Sequence, residues 1–213
     1  MNVLVACEFS GVVRDAFRAR GHNAWSCDLE PCEGDPRWHL RQDVFGVLEP
    51  WKHGLIAHHV GCRKWDLMIA HPPCTYLCSM GIWWNHKRPE RWALTDEAER
   101  FFMALYNADI PRIAVENPVG TMSTRFRKPD QIVNPWHFGQ EFNKPTCLWL
   151  KGLPKLIPTN IVGKGKFYIK ANGNRISAWS HITSGTRKAE RAKIASRTFT
   201  GFAEAMASQW GAV

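Results

Sequence analysis

A succession of short, largely apolar runs, each closed by a polar or proline-containing turn, constrains the fold of this chain more than any other feature. The runs are VLVAC at 3–7, AWSC at 24–27, WDLMIA at 65–70 and RIAV at 112–115. Short runs with little polar alternation suit strands buried on both faces, as in parallel sheets covered by helices. Helical stretches lie between and after them. One is expected over 12–20, with Gly21 placed to end it in a left-handed conformation. A second spans 89–107, with Phe101, Phe102 and Leu105 on one face, and a terminal amphipathic helix covers 198–210. A further strand is expected to end at Gln42-Asp43-Val44. This alternation predicts an α/β fold with a doubly wound, mostly parallel sheet. Residues 151–196 show no clear period and read as a short irregular or β-rich excursion.

At 213 residues and 45% hydrophobic content the chain can bury one sizeable core. No apolar run approaches the roughly 18 residues of a membrane span. The opening MNVLVACEFS lacks the basic leader of a signal peptide, so a soluble, intracellular protein is expected. Seven cysteines, an odd number, favour free thiols over a disulfide framework. No metal site is expected. Cys74 and Cys78 form a C-x3-C pair without a matching second pair, and His58, His59 and Cys62 near a helix end read as structural. Charge is unevenly placed. Residues 1–150 carry 17 Lys/Arg and 17 Asp/Glu, whereas 151–213 carry 11 Lys/Arg against Glu190 and Glu204 alone, a net of +9. A basic segment joined to a neutral body points to a polyanion, nucleic acid first, the alternative being a solvated tail.

In parallel sheets, ligands bind outside the carboxyl ends of the strands. Asp28, Asp43, Cys74 and Glu116 each fall just after an expected strand. Cys74, behind Pro72 and Pro73, has a fixed backbone; it reads as a buried structural cysteine or, if its surroundings favour the thiolate, as a nucleophile. Glu116, followed by Asn117, reads as a capping or surface glutamate, or as an acid whose pKa burial raises so that its proton is available near neutral pH. The Phe9-Ser10-Gly11 turn can seat a nucleotide-like cofactor beside the following helix, with Asp28 accepting from ribose hydroxyls and Asp43 from an adenine amino group.

In this order, FSG at 9–11, Asp28, Asp43, PPC at 72–74 and EN at 116–117, the motifs resemble the DNA cytosine-5 methyltransferase family. The chain is also similar to small phage and prophage cytosine methyltransferases through AHPPCTYL at 70–77, IAVENPVG at 113–120, KPTCLWLKGLP at 144–154 and SRTFTGFAEAMASQWG at 196–211. The resemblance implies a Rossmann-like fold that uses S-adenosyl-L-methionine, held by Phe9, Ser10, Gly11, Asp28, Leu29, Asp43 and Pro72. It implies Cys74 as the nucleophile that adds to carbon 6 of a flipped cytosine, with Pro73, Glu116 and Asn117 completing the catalytic set.

The implied organisation is a catalytic and cofactor-binding domain over 1–150, a short basic DNA-contacting region over 151–196, and a terminal helix over 197–213 packed back on the body. Trp83, Trp84, Lys87 and Arg88 read as a mobile loop closing on DNA or as a packed core edge. Lys144, Lys164, Lys166 and Arg187 are further expected DNA contacts. The region available for target recognition is small, so short or relaxed sequence specificity is expected. Val12, Val13 and Arg14 follow Gly11 where the family continues with glycines, leaving Arg14 to read a carboxylate on a modified donor. The alternatives are therefore a modified one-carbon donor, free cytosine nucleotides as substrate, or a non-catalytic DNA-binding relative. A monomer in the cytoplasm of a bacterial or phage-infected cell is expected.

Overall fold

The computed structural model describes residues 1–184 and 188–212. The amino-terminal half contributes β1 (Asn2–Ala6), α1 (Val12–Arg18), β2 (Asn23–Asp28), β3 (His39–Arg41), α2 (Gly54–Val60) and β4 (Leu67–Ala70). There follow α3 (Ser79–Lys87), α4 (Trp92–Tyr106), β5 (Arg112–Pro118), the single turn α5 (Met122–Arg125), β6 (Gln131–Val133) and β7 (Thr146–Lys151). A hairpin of β8 (Phe167–Ile169) and β9 (Arg175–Ser177) precedes α6 (Ala178–Ser184), α7 (Lys188–Ser196) and α8 (Thr200–Trp210). Seven strands form one sheet in the order β3-β2-β1-β4-β5-β7-β6. The first five are mutually parallel, and β7 runs antiparallel to both β5 and β6. The chain is thus an α/β protein with a mostly parallel mixed sheet, compatible with a Rossmann-like architecture.

The apolar runs follow from burial on both faces. Along β1, Leu4 and Ala6 face one hydrophobic cluster while Val3 and Val5 face the other, and β4 divides Met68 and Ala70 from Leu67 and Ile69 in the same way. One cluster is closed by Val60, Phe102 and Leu105 from α2 and α4. The other is closed by Val13 and Phe17 of α1 and by Phe202, Met206 and Trp210 of α8. No helix among the described residues is long and apolar enough to cross a membrane.

Several boundaries differ from the sequence reading. The third strand ends at Arg41, because the Asp43 carboxylate accepts the Phe45 N–H at 2.9 Å and opens a 3-10 turn instead of extending the strand. Glu116 and Asn117 lie inside β5, not beyond it: β7 pairs Glu116 with Leu148, Asn117 with Cys147 and Pro118 with Thr146. On the other side β4 stops at Ala70, opposite Val115, so both residues still project past the parallel part of the sheet. The segment carrying Trp83 and Trp84 is helix α3 rather than a loop. Residues 151–196 hold two helices besides their hairpin.

Candidate functional site

Strand order reverses between β1 and β4, and the chemistry-bearing residues gather at that end of the sheet. The backbone N–H of His71 donates to the Ala6 carbonyl at 2.9 Å, holding the two strand ends together. On the β1 side, Cys7 has φ +59°, the one left-handed non-glycine backbone among the described residues. That conformation costs of order 1 kcal/mol or more and clusters at functional turns. The turn directs Glu8 inward. Its carboxylate accepts the N–H groups of Val13 (2.7 Å) and Arg14 (3.2 Å) at the start of α1. Burial raises the Glu8 pKa, against attraction from His71 and the two N–H bonds. The donors at this helix end are therefore engaged internally and are not open to an anionic ligand.

Arg14 is fully buried. Its guanidinium bonds Asp15 at 2.8 and 3.1 Å, Ser26 at 3.1 Å and Cys32 at 3.3 Å. A β-carbon on Gly11 would lie 2.5 Å from the same guanidinium, so the glycine accommodates the buried arginine. Arg14 is accordingly unavailable to read a ligand carboxylate, contrary to expectation. Phe9 is buried and Ser10 half-buried beside it, while Leu29 stands 70% exposed just past the end of β2. Asp28 and Asp43 both face Cys7, whose thiol is pushed up first by burial and then by these carboxylates and Cys27. The two aspartates, at separate strand ends in the sequence, thus act on the same thiol.

The β4 side carries Pro72-Pro73-Cys74, with Pro72 buried and Pro73 and Cys74 exposed. The Asn117 amide donates to the Pro72 carbonyl at 2.9 Å, tying this loop to β5. Glu116 Oε2 lies 3.1 Å from His71 Nδ1. Burial pushes Glu116 up, but the His71 hydrogen bond and attraction from His71 and Lys144 outweigh it, leaving its pKa below the ordinary value. Burial alone implied a raised pKa, and the histidine reverses the sign. The Cys74 thiol is pushed up by its hydrogen bond to Cys78, by burial and by the nearby Glu116 carboxylate, with Lys144 opposing. Cys74, in the loop after β4, and Glu116, on the neighbouring β5, thus lie near enough for the carboxylate's charge to act on the thiol. Lys144, half-buried, donates to the Ala195 carbonyl at 2.7 Å and lines a crevice with Glu116 and Phe199.

Cys78 follows Cys74 by one turn and caps α3. The backbone N–H groups of Leu77 and Cys78 both reach the Cys74 carbonyl, at 3.0 and 2.9 Å. Thr121 N–H donates to the Leu77 carbonyl at 2.8 Å, and the Ser79 hydroxyl to the Val119 carbonyl at 3.1 Å. Close approach here requires glycine: a β-carbon on Gly120 would stand 2.0 Å from Leu77 O and 2.8 Å from Cys78 Cα. Both are backbone atoms, so Gly120→Ala is expected to destabilise the protein by about 1–3 kcal/mol. Gly54→Ala, which meets nothing within 4 Å, should be neutral or stabilising by up to about 1 kcal/mol. Urea unfolding of both variants checks the contrast.

Along α3 the aromatic and basic side chains alternate on an exposed surface. Trp83 and Trp84 are 48% and 41% exposed. Their rings meet edge-on at 4.9 Å, with Lys87 over Trp83 at 4.5 Å and Arg88 over Trp84 at 5.6 Å. Lys164 is exposed and lies 5.3 Å over Trp136, and Lys166 is exposed two residues further on. Arg187 lies outside the described residues. Not all of the basic segment is free: Arg197 pairs with Glu33 at 2.7 and 2.8 Å, and Lys193 approaches Glu30 at 3.6 Å. Among the described residues no group of His, Cys, Asp and Glu could hold a metal ion, and His59 packs against Trp25 at 5.0 Å.

Sequence reasoning assigned no role to Glu8 or to His71. Glu8 sits five residues before the N–H it caps, a spacing that no single-helix capping rule covers. His71 shows its role only once β4 and β5 are neighbours. No protein-family model and no curated protein sequence matches this chain.

Proposed function

We propose that this chain transfers a methyl group to carbon 5 of cytosine in DNA, with S-adenosyl-L-methionine as donor. The observation that carries the reading is the placement of Cys74 in the loop after β4 and of Glu116 on the adjacent β5, near enough for the carboxylate to act on the thiol, with Asn117 fastened to the Pro72 carbonyl. Cys74 adds through sulfur to carbon 6 of a flipped base as its proton leaves to solvent. The Glu116 carboxylate, oriented by His71, takes up a proton from solvent and shares it with ring nitrogen 3, which draws electrons away from carbon 6. With the donor bound, carbon 5 would take its methyl group and the rest of the donor would leave as the thioether; solvent would then remove the carbon 5 proton, and the electrons left behind would expel Cys74 as thiolate.

The nucleoside half of the donor fits the residues present. Asp28 spends one oxygen on the Glu30 N–H at 3.0 Å and keeps acceptor capacity for ribose hydroxyls. Asp43 is a second acceptor, and Leu29 offers exposed apolar surface just past the end of β2, while Phe9 and Pro72 are buried. When bound, S-adenosyl-L-methionine supplies the electrophilic methyl group. Trp83, Trp84, Lys87 and Arg88 supply stacking and phosphate contacts on the side where α3 leaves the crevice, and Lys164 and Lys166 add exposed charge.

The test is nucleoside mass spectrometry of DNA incubated with the protein and the donor. Deoxycytidine heavier by one CH2 is expected; unchanged nucleosides, or a different added group, reject the reading. Binding to duplex DNA should weaken with salt at a log–log slope of about −4 to −5, corresponding to roughly five neutralised phosphates. Titrations between low and moderate salt measure it, and a flat response contradicts the choice of partner.

A further inference from the structure

The end of α7 and the residues after it join the two halves of the sheet at its carboxyl edge. On the β2 side, the Glu33 carboxylate accepts Arg197 Nε at 2.8 Å and a terminal guanidinium nitrogen at 2.7 Å. Lys193 Nζ lies 3.6 Å from Glu30 and 5.9 Å from the centre of the Phe9 ring. The Glu33 backbone N–H donates to the Phe9 carbonyl at 2.9 Å, which pins this loop to the turn after β1. On the β5 side, the Ala195 carbonyl accepts Lys144 Nζ at 2.7 Å, and Ser196, Arg197 and Phe199 line the same crevice as Glu116. Residues 193–199 therefore reach from the loop after β2 to β5, with β1 and β4 between them in the sheet.

The attachment of this segment is polar. In α7, Ile194 and Ala195 are half-buried, while Glu190, Arg191, Lys193 and Ser196 are exposed. Helix α8, which follows, is anchored by buried Phe202, Met206 and Trp210. An element with few buried apolar contacts opens at low cost while its neighbours stay folded. We infer that residues 193–199 are a strap over the carboxyl edge of the sheet, latched by Arg197 on Glu33, and that the latch sets how often this edge opens to a ligand. That the ligand admitted is the nucleoside-bearing donor rests on the methyl-transfer reading; the latch itself does not. The paired N–H bonds fix the geometry of closure. Both side chains keep contact with water, at 44% and 35% exposure, so the pair shifts the opening equilibrium by only about 2- to 5-fold. The latch thus tunes opening without locking the site, and salt loosens it.

Hydrogen exchange of the whole ligand-free chain, read by mass spectrometry on peptides covering 193–199, tests the latch. Glu33→Gln should speed exchange there about 2- to 5-fold, with peptides from β1 and β5 unchanged. The reversed pair, Glu33→Arg with Arg197→Glu, should bring the rate back towards the parent's. Raising salt from about 0.05 M to about 0.5 M should speed exchange of 193–199 in the parent and move Glu33→Gln less. An unaltered rate in Glu33→Gln overturns the latch. So does a parent indifferent to salt, even if neither variant folds. Stopped-flow binding of S-adenosyl-L-homocysteine, the donor without its methyl group, tests the opening. Association and dissociation should both be faster in Glu33→Gln by about 2- to 5-fold, and unchanged rates overturn the gating. No binding at all rejects the methyl-transfer reading and with it the donor as the gated ligand, while the exchange rates decide the latch.

Discussion

Cys74→Ser should bind DNA and unfold at the parent's urea midpoint while transferring methyl groups at least about 10³-fold more slowly. The size of the loss reflects the hydroxyl's far weaker nucleophilicity and its high pKa. Folding should be spared, because residue 74 is exposed and its backbone carbonyl, not its side chain, holds the turn to Leu77 and Cys78. Single-turnover methyl incorporation and a denaturation curve on the same preparation separate the two effects. Turnover within tenfold of the parent would show that no bond from this sulfur to carbon 6 is needed.

Glu116→Gln should cost about 10²–10⁴-fold in turnover, the range typical of a positioned acid–base group, and should also change the acid stability of the fold. Despite burial, the folded-state pKa of Glu116 lies below its ordinary value, chiefly through His71 and then Lys144. A carboxylate with a depressed pKa stabilises the native state above its unfolded pKa of about 4.3, and that contribution disappears as pH falls through the folded value. Glutamine lacks the charge at every pH. The stability gap between parent and variant should therefore be widest above about pH 4.5 and should narrow under more acidic conditions. Urea midpoints measured from pH 7 down to pH 3 give the curve. A gap that widens on acidification would mean the carboxyl is held neutral in the native state.

Much of this arrangement was legible because it depends on local pattern. Doubly buried strands leave apolar runs such as LMIA, and the residues that end them land at one edge of the sheet whatever the details of packing. That sufficed to select Asp28, Asp43, Cys74 and Glu116. What escaped was anything decided by a neighbour distant in sequence. The sign of the Glu116 shift belongs to His71, 45 residues away. The burial of Arg14 depends on Ser26 and Cys32, and the helical form of 79–87 is anchored through Ser79 and Leu77 to the 119–121 turn. The bond from Lys144 to the Ala195 carbonyl joins residues 51 apart.

The reversed strand β7 also carries a consequence for biosynthesis. It is made after β5, yet it must insert between β5 and β6. Until residues 146–151 emerge from the ribosome, the outer edge of β5 from Ile113 to Pro118 has no partner. An apolar edge left open on a nascent chain is a template for pairing with other polypeptides. Translation stalled before residue 146 should accordingly yield aggregates or chaperone-bound fragments, whereas release beyond residue 151 lets the sheet close.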